Sequence, residues 1–351
     1  MDHSSPPPTA CTDPSLGRGA EPLLLRVRQD PPSPAAATGG ATSAVEHLGQ
    51  LSAAFAPYLR PEPPRLLEES AHGDWVRQRW SAEIFPGMPF GVYVLRPTGP
   101  GPSPTVLALH GHGASSASLA GVDDDGATAG AHGRLGVQLV EAGATVVIPD
   151  MVGLPGRRGA AERPGTQCQR LVNHLGLFGL SLSGARTAEL NGLLGQLAEL
   201  EVDPSAPLGV AGFSGGGQIG VHVALPHPQV RVLALSGYGS TFAQGILAIE
   251  HCPCNYTPGL ARFGDLPEVL AAFTGPIIVE AGRADQLFPI GGVRATADAL
   301  ARLGRSEPGH RSGDPGAPPP VTLIEHDGGH EVDGPALTQH VISALKNISC
   351  E

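Results

Sequence analysis

Gly212-Phe213-Ser214-Gly215-Gly216 follows directly on the apolar segment Leu208-Gly209-Val210-Ala211. A G-x-S-x-G run behind a short apolar strand requires a particular local geometry. The strand has to end in a tight turn and leave it as a helix, with the serine at the apex. Such a turn crowds its own backbone, so the positions flanking the serine must be small, and glycine meets that need. The start of the helix then offers backbone N–H groups that have no intrahelical partner. Those groups can stabilise negative charge developing on an oxygen. Gly/Ser clusters also arise by chance in a chain with 49 glycines, so the run needs support from the rest of the chain.

That support comes from alternation. Thr105–Leu109 is a short continuous apolar run, as expected of a strand buried on both faces. Leu135–Ala142 reads as a helix and Ala144–Pro149 as the next strand. Leu190, Leu193, Leu194, Leu197 and Leu200 recur with helical spacing, which predicts an amphipathic helix over Ala185–Leu200. Leu208–Ala211 is the strand before Ser214, and Gln218–Ala224 the helix after it. Val230–Leu235, Pro276–Glu280 and Val321–Glu325 read as further strands, with helices over Val293–Leu303 and Pro335–Lys346. Val45–Tyr58 is expected to be a short helix, and Trp75–Trp80 and Phe90–Leu95 strands leading in. The pattern predicts an α/β fold, with a mostly parallel central sheet and helices on both faces. Residues 1–43, rich in Pro, Ala and Gly, are expected to be a disordered tail, and residues 44–351 one domain. Gly304–Pro320 reads as a mobile surface insertion.

Charge and cysteine content narrow the partners. The net charge is −11, which argues against nucleic acid or an anionic membrane surface as partner, because both call for clustered basic residues. No run of about 18 apolar residues and no basic-then-apolar leader is visible, so no membrane span and no secretory route is expected. The five cysteines, Cys11, Cys168, Cys252, Cys254 and Cys350, are odd in number and irregular in spacing, unlike a disulfide framework. The expected location is cytoplasmic. Nothing in the sequence fixes an oligomeric state.

An activated serine needs a base, and the base needs an orienting carboxylate. In open α/β sheets such groups stand beyond the carboxyl ends of strands. Asp285 follows the strand Pro276–Glu280, and His330 follows Val321–Glu325 on a Gly328-Gly329 turn. The chain order Ser214, Asp285, His330 is that of the α/β-hydrolase arrangement. His326 competes as the base, but it still belongs to the strand end. Glu280, Asp265 and Asp327 compete with Asp285, and Asp150 is read as a loop brace. His110-Gly111-His112-Gly113 begins where the strand Thr105–Leu109 ends. The backbone N–H groups of His112 and Gly215 are the expected oxyanion donors, and the side chain of His110 is read as structural, as is that of His112. Arg157 and Arg158 could grip a carboxylate, but a solvated loop is the favoured reading. Cys252-Pro253-Cys254 beside His251 is a fragment of zinc-ligand spacing. A structural site needs about four ligands, and no second C-x-C or H-x-H pair stands nearby, so neither metal nor cofactor is expected.

The segments His110–Gly113, Gly212–Gly216, Gly282-Arg283-Ala284-Asp285 and Gly329-His330-Glu331 together resemble the α/β-hydrolase superfamily. They are most similar to its dienelactone-hydrolase-like and acetyl-xylan-esterase-like branches, and His251–Leu260 strengthens the second comparison. Dienelactone hydrolases proper carry a cysteine nucleophile where this chain has Ser214. The resemblance implies a metal-independent serine hydrolase acting on a small-molecule carboxylic ester, a deacetylase or specialised-metabolite esterase, through an acyl-enzyme. It leaves open a prolyl-oligopeptidase-like peptidase, an acyltransferase and a non-catalytic ligand-binding relative.

Overall fold

The computed structural model describes residues 21–29, 42–122, 130–157, 167–303 and 320–348. Among these residues nine strands form one sheet. They are β1 (Glu62–His72), β2 (Trp75–Glu83), β3 (Phe90–Pro97), β4 (Thr105–Leu109), β5 (Thr145–Pro149), β6 (Leu208–Phe213), β7 (Val230–Ser236), β8 (Ile277–Gly282) and β9 (Val321–His326). Their order is β1-β2-β3-β5-β4-β6-β7-β8-β9. The first three strands join antiparallel, β3 runs antiparallel to β5, and every pair from β5 to β9 is parallel.

The continuous apolar runs behave as predicted. Every residue of β4, β6 and β8 is buried, because helices cover both faces of the parallel part. Side chains alternate between two cores. Leu107 and Leu109 join Leu48, Leu190 and Ile219 on one face. Val106 and Ala108 join Leu135, Leu337 and Val341 on the other. From β4 the chain passes first to β5 on one side and later to β6 on the other. The carboxyl ends of β4 and β6 are therefore a topological switch point, where open sheets form their crevice.

Several elements differ from the sequence reading. Strand β1 was not foreseen, because Glu62–His72 is mostly exposed and carries no apolar alternation. Its two prolines fit an edge position, where the missing N–H groups cost no ladder bond. A helix, Gln167–Leu177, packs its Leu171 and Leu175 inward where none was predicted. The stretch expected to be disordered contains a helix, Glu21–Gln29, whose Leu23 is buried in the core shared with Phe55 and Phe85. The helix predicted over Val45–Tyr58 is Ala44–Ala53 followed by a separate turn at Ala56–Tyr58, because Pro57 cannot continue it. Residues 304–319 of the predicted insertion lie outside the described residues.

The N-terminal helix gives a direct test. Leu23→Ala removes a fully buried side chain and is expected to cost about 2–4 kcal/mol. Leu25→Ala, at a position 55% exposed, is expected to cost less than about 0.5 kcal/mol. Urea unfolding of the two variants beside the parent checks the contrast.

Candidate active site

Ser214 stands between β6 and the helix Gly215–Ala224, at φ 55° and ψ −121°. A non-glycine residue held there stores roughly 1–3 kcal/mol of backbone strain. The neighbours hold it in place. The Ser214 N–H donates to the carbonyl of Ser236 at the end of β7 (2.8 Å), and the Gln218 N–H donates to the Ser214 carbonyl (3.2 Å). The flanking glycines are required by contact. A Cβ on Gly216 would lie 2.2 Å from the Leu109 carbonyl oxygen, and one on Gly212 would lie 2.3 Å from the Gly216 oxygen. No side chain fits either gap.

The strand ends bring three predicted residues into one hydrogen-bonded line. His330 Nε2 lies 2.9 Å from Ser214 Oγ, and His330 Nδ1 lies 2.8 Å from Asp285 Oδ2. The second oxygen of Asp285 accepts from the backbone N–H groups of Leu287 (2.8 Å) and Phe288 (3.0 Å). Both lone-pair faces of the carboxylate are thereby used, and the carboxylate itself is buried. The His330 ring lies between Phe288, near-parallel at 5.7 Å, and Phe213 at 4.9 Å.

The competing residues have other partners. His326 accepts from the Gly328 N–H (3.2 Å). Glu280 is wholly buried and accepts from Ser236 Oγ (2.7 Å) and the Gly334 N–H (2.9 Å). Asp265 caps the helix Leu266–Leu270. Asp327 pairs with Arg283 on the surface (2.5 Å). Asp150 accepts from the Ser116 N–H (2.8 Å), the loop brace expected of it.

The turn after β4 packs against the serine turn. A Cβ on Gly215 would meet the His112 ring at 2.9 Å, so the two residues expected to supply the oxyanion donors pack against each other. As first residue of its helix, Gly215 has no intrahelical acceptor for its N–H. The turn is fixed by His132, whose Nε2 accepts from the Gly111 N–H (3.1 Å) and whose ring sits edge-on to Phe213. His110, fully buried, links the Gly111 carbonyl and the Met151 N–H, the structural part expected of it.

Two sequence readings are corrected here. Arg157 is not in a solvated loop. It is fully buried, ion-paired to Glu189, bonded to the Met88 carbonyl (3.2 Å) and stacked over Phe90. Arg158 lies outside the described residues. Neighbours along the chain offer no set of four metal-type ligands, but the fold gathers one. In the fold, Cys252 and Cys254 are joined by Cys168 and the His112 ring rather than by His251, and their donor atoms all lie within 4.8 Å of one another. The side chain of His112, read as structural, thus faces a cluster of thiols. A second loop contact completes the surroundings. Gln218, in the helix after Ser214, donates to the Asn255 carbonyl and Thr257 Oγ1 (both 3.0 Å), and His222 meets the same hydroxyl at 3.0 Å.

No protein-family model matches the chain, and no curated protein matches it. Solved structures do. Acetyl xylan esterase 1 from Thermoanaerobacterium sp. superposes with a TM-score of 0.57 at 16% identity, over 88% of this chain and 96% of that one. An acetyl xylan esterase from Paenibacillus sp. R4 gives 0.55 at 16% identity, over 93% and 99%. A methylesterase gives 0.56 at 17% identity, over 94% of this chain and 63% of the other. The chain therefore has the α/β-hydrolase fold. Among the described residues no helix is long and apolar enough to cross a membrane.

The buried histidines around the site give a pH test. Burial pushes His132 and His222 down from 6.5 to about 3, with neighbouring positive groups adding to the effect. Between those values the unfolded chain binds protons that the folded chain refuses. Stability is therefore full above about pH 6.5 and is lost as pH falls towards about 3. Between pH 7 and pH 5 each histidine is expected to cost on the order of 2 kcal/mol. Urea unfolding at the two pH values should show this fall, and His222→Gln should reduce it. A flat profile would contradict the assignment.

Proposed function

We propose that this chain is a serine hydrolase cleaving a small-molecule carboxylic ester. The reading is carried by the unbroken line Ser214 Oγ–His330 Nε2 and His330 Nδ1–Asp285 Oδ2, at 2.9 and 2.8 Å. In the proposed mechanism Ser214 Oγ attacks the ester carbonyl while His330 Nε2 takes its proton. Asp285 holds the Nδ1–H tautomer and stabilises the imidazolium that forms. The N–H groups of His112 and Gly215 receive the charge on the carbonyl oxygen. His330 passes its proton to the leaving alcohol, and the alcohol departs. Water then attacks the acyl-enzyme, with His330 again as base, and releases the acid.

The strained backbone at Ser214 supports this reading, since such strain persists where the surroundings over-determine it. The α/β-hydrolase fold and its esterase neighbours support an ester over an amide, and acetyl xylan esterases among them favour a short acyl group. A reducing compartment, the cytoplasm, suits Cys168, Cys252 and Cys254, which share no disulfide. No nucleic-acid or membrane partner enters this reading.

Ser214→Ala is expected to lower kcat by about 10⁴–10⁶ on p-nitrophenyl acetate and to abolish fluorophosphonate labelling, with unfolding unchanged. His330→Ala should cost nearly as much, and His326→Ala far less. Asp285→Asn keeps the shape of the side chain but donates where it should accept. It is expected to lower kcat by on the order of 10⁴ with little change in KM. Its loss should not add to that of His330→Ala, because the base is already gone. Near-parental turnover by Ser214→Ala would end the nucleophile assignment.

A further inference from the structure

Three distant segments of the chain converge on one small volume. His112 comes from the turn after β4, and Cys168 from the first turn of the helix Gln167–Leu177. Cys252 precedes the short turn Pro253–Asn255 and Cys254 is its middle residue. His112 Nε2 lies 3.0 Å from Cys254 Sγ and 4.0 Å from Cys168 Sγ, and the sulfurs of Cys252 and Cys254 are 3.4 Å apart. A tetrahedral zinc site, with bonds of about 2.3 Å to sulfur and about 2.0 Å to nitrogen, has edges of about 3.5–3.8 Å between donors. The observed spacings bracket those edges. From this convergence we propose that His112, Cys168, Cys252 and Cys254 bind one zinc ion in a closed Cys₃His site.

Charge supplies an independent argument. Arg186 is fully buried, its Nε donates to the Val152 carbonyl (2.8 Å) and its Nη2 points at Cys168 Sγ (3.4 Å). Glu189, one turn along the same helix, is engaged by Arg157. A buried guanidinium needs an anion beside it. Three thiolates around a divalent ion carry one net negative charge, and Arg186 neutralises it. Three neutral thiols would leave that cation only Glu189, which is already paired with Arg157. The donor set is also selective. Three sulfurs and one imidazole suit a thiophilic d¹⁰ ion and not magnesium or calcium.

All four protein ligands leave no open position, so the ion is structural. It ties the loop around Cys252–Thr257 and the helix Gln167–Leu177 to the turn that carries His112. Binding through Nε2 fixes the ring of a residue whose backbone N–H is a proposed oxyanion donor. That last consequence rests on the hydrolase reading, but the ion does not.

The test uses the full chain, purified without chelator after growth with added zinc. Elemental analysis should find about one zinc per chain. Iodoacetamide mapping should show Cys168, Cys252 and Cys254 shielded, and labelled only after a strong chelator is added under native conditions. Protein grown on cobalt should show the intense ligand-field bands of tetrahedral Co(II) and a thiolate charge-transfer band. Cys168→Ser and Cys254→Ser should lose both bands and most of the metal, whereas His251→Ala should keep them. Ser214→Ala should keep its zinc in full, so the ion and the hydrolase reading fail separately. Where a cysteine variant does not fold, the labelling experiment on the parent chain decides. Zinc below about a tenth per chain with equal labelling before and after chelation would overturn the site. So would a disulfide between any two of the three cysteines in the peptide map, or zinc retained by both cysteine variants.

Discussion

The close approach of the serine turn to the end of β4 is the contact on which the rest of the site depends. The carbonyl of Leu109 sits where a Cβ on Gly216 would be, only 2.2 Å from that position. Two backbones can meet at that distance only without a side chain between them. The approach places the turn His110–Gly113 against Ser214 and Gly215 against the His112 ring. A larger residue at Gly216 would separate β4 from the helix it packs against. The proposed oxyanion donors would then part from the proposed nucleophile.

Selection among the acidic residues is a matter of hydrogen-bond supply. Asp285 is given two backbone donors on one oxygen and His330 on the other. Glu280, two residues from the end of β8, is equally buried, but its oxygens are already taken by Ser236 and Gly334. It braces β7 against the segment that follows His330. The surface carboxylates of Glu325 and Asp327 are occupied by Arg283 and Arg294, which ties the end of β9 to its neighbours. A carboxylate with unused lone pairs would compete for the His330 N–H, and each of these already has a partner.

The helix after Ser214 has two functions on different faces. Its first turn closes the serine turn, and Gln218 and His222 dock the loop that carries Asn255 and Thr257. That loop holds Cys252 and Cys254, whose partners His112 and Cys168 come from the turn after β4 and from a separate helix. The thiol cluster thus adjoins the Ser-His-Asp line through the turn after β4, whose His112 ring packs against Gly215. An ion in the first would act on the second by holding His112, not by touching the substrate.

The sequence by itself determined the sheet and the line through the serine. Buried parallel strands read as unbroken apolar runs, and chemistry at their ends sits on short glycine-rich turns. Both signals are local, so Ser214, Asp285 and His330 were legible. The edge strand Glu62–His72 was not, since its pairing to β2 is made by the backbone while its side chains face water. The N-terminal helix was not either, because one buried leucine gives no period to read. Only the tertiary structure decided that Arg157 is buried against Glu189 and that Cys168 meets Cys254. Such contacts join residues from segments far apart in the chain, and spacing along a sequence carries no record of distance across a fold.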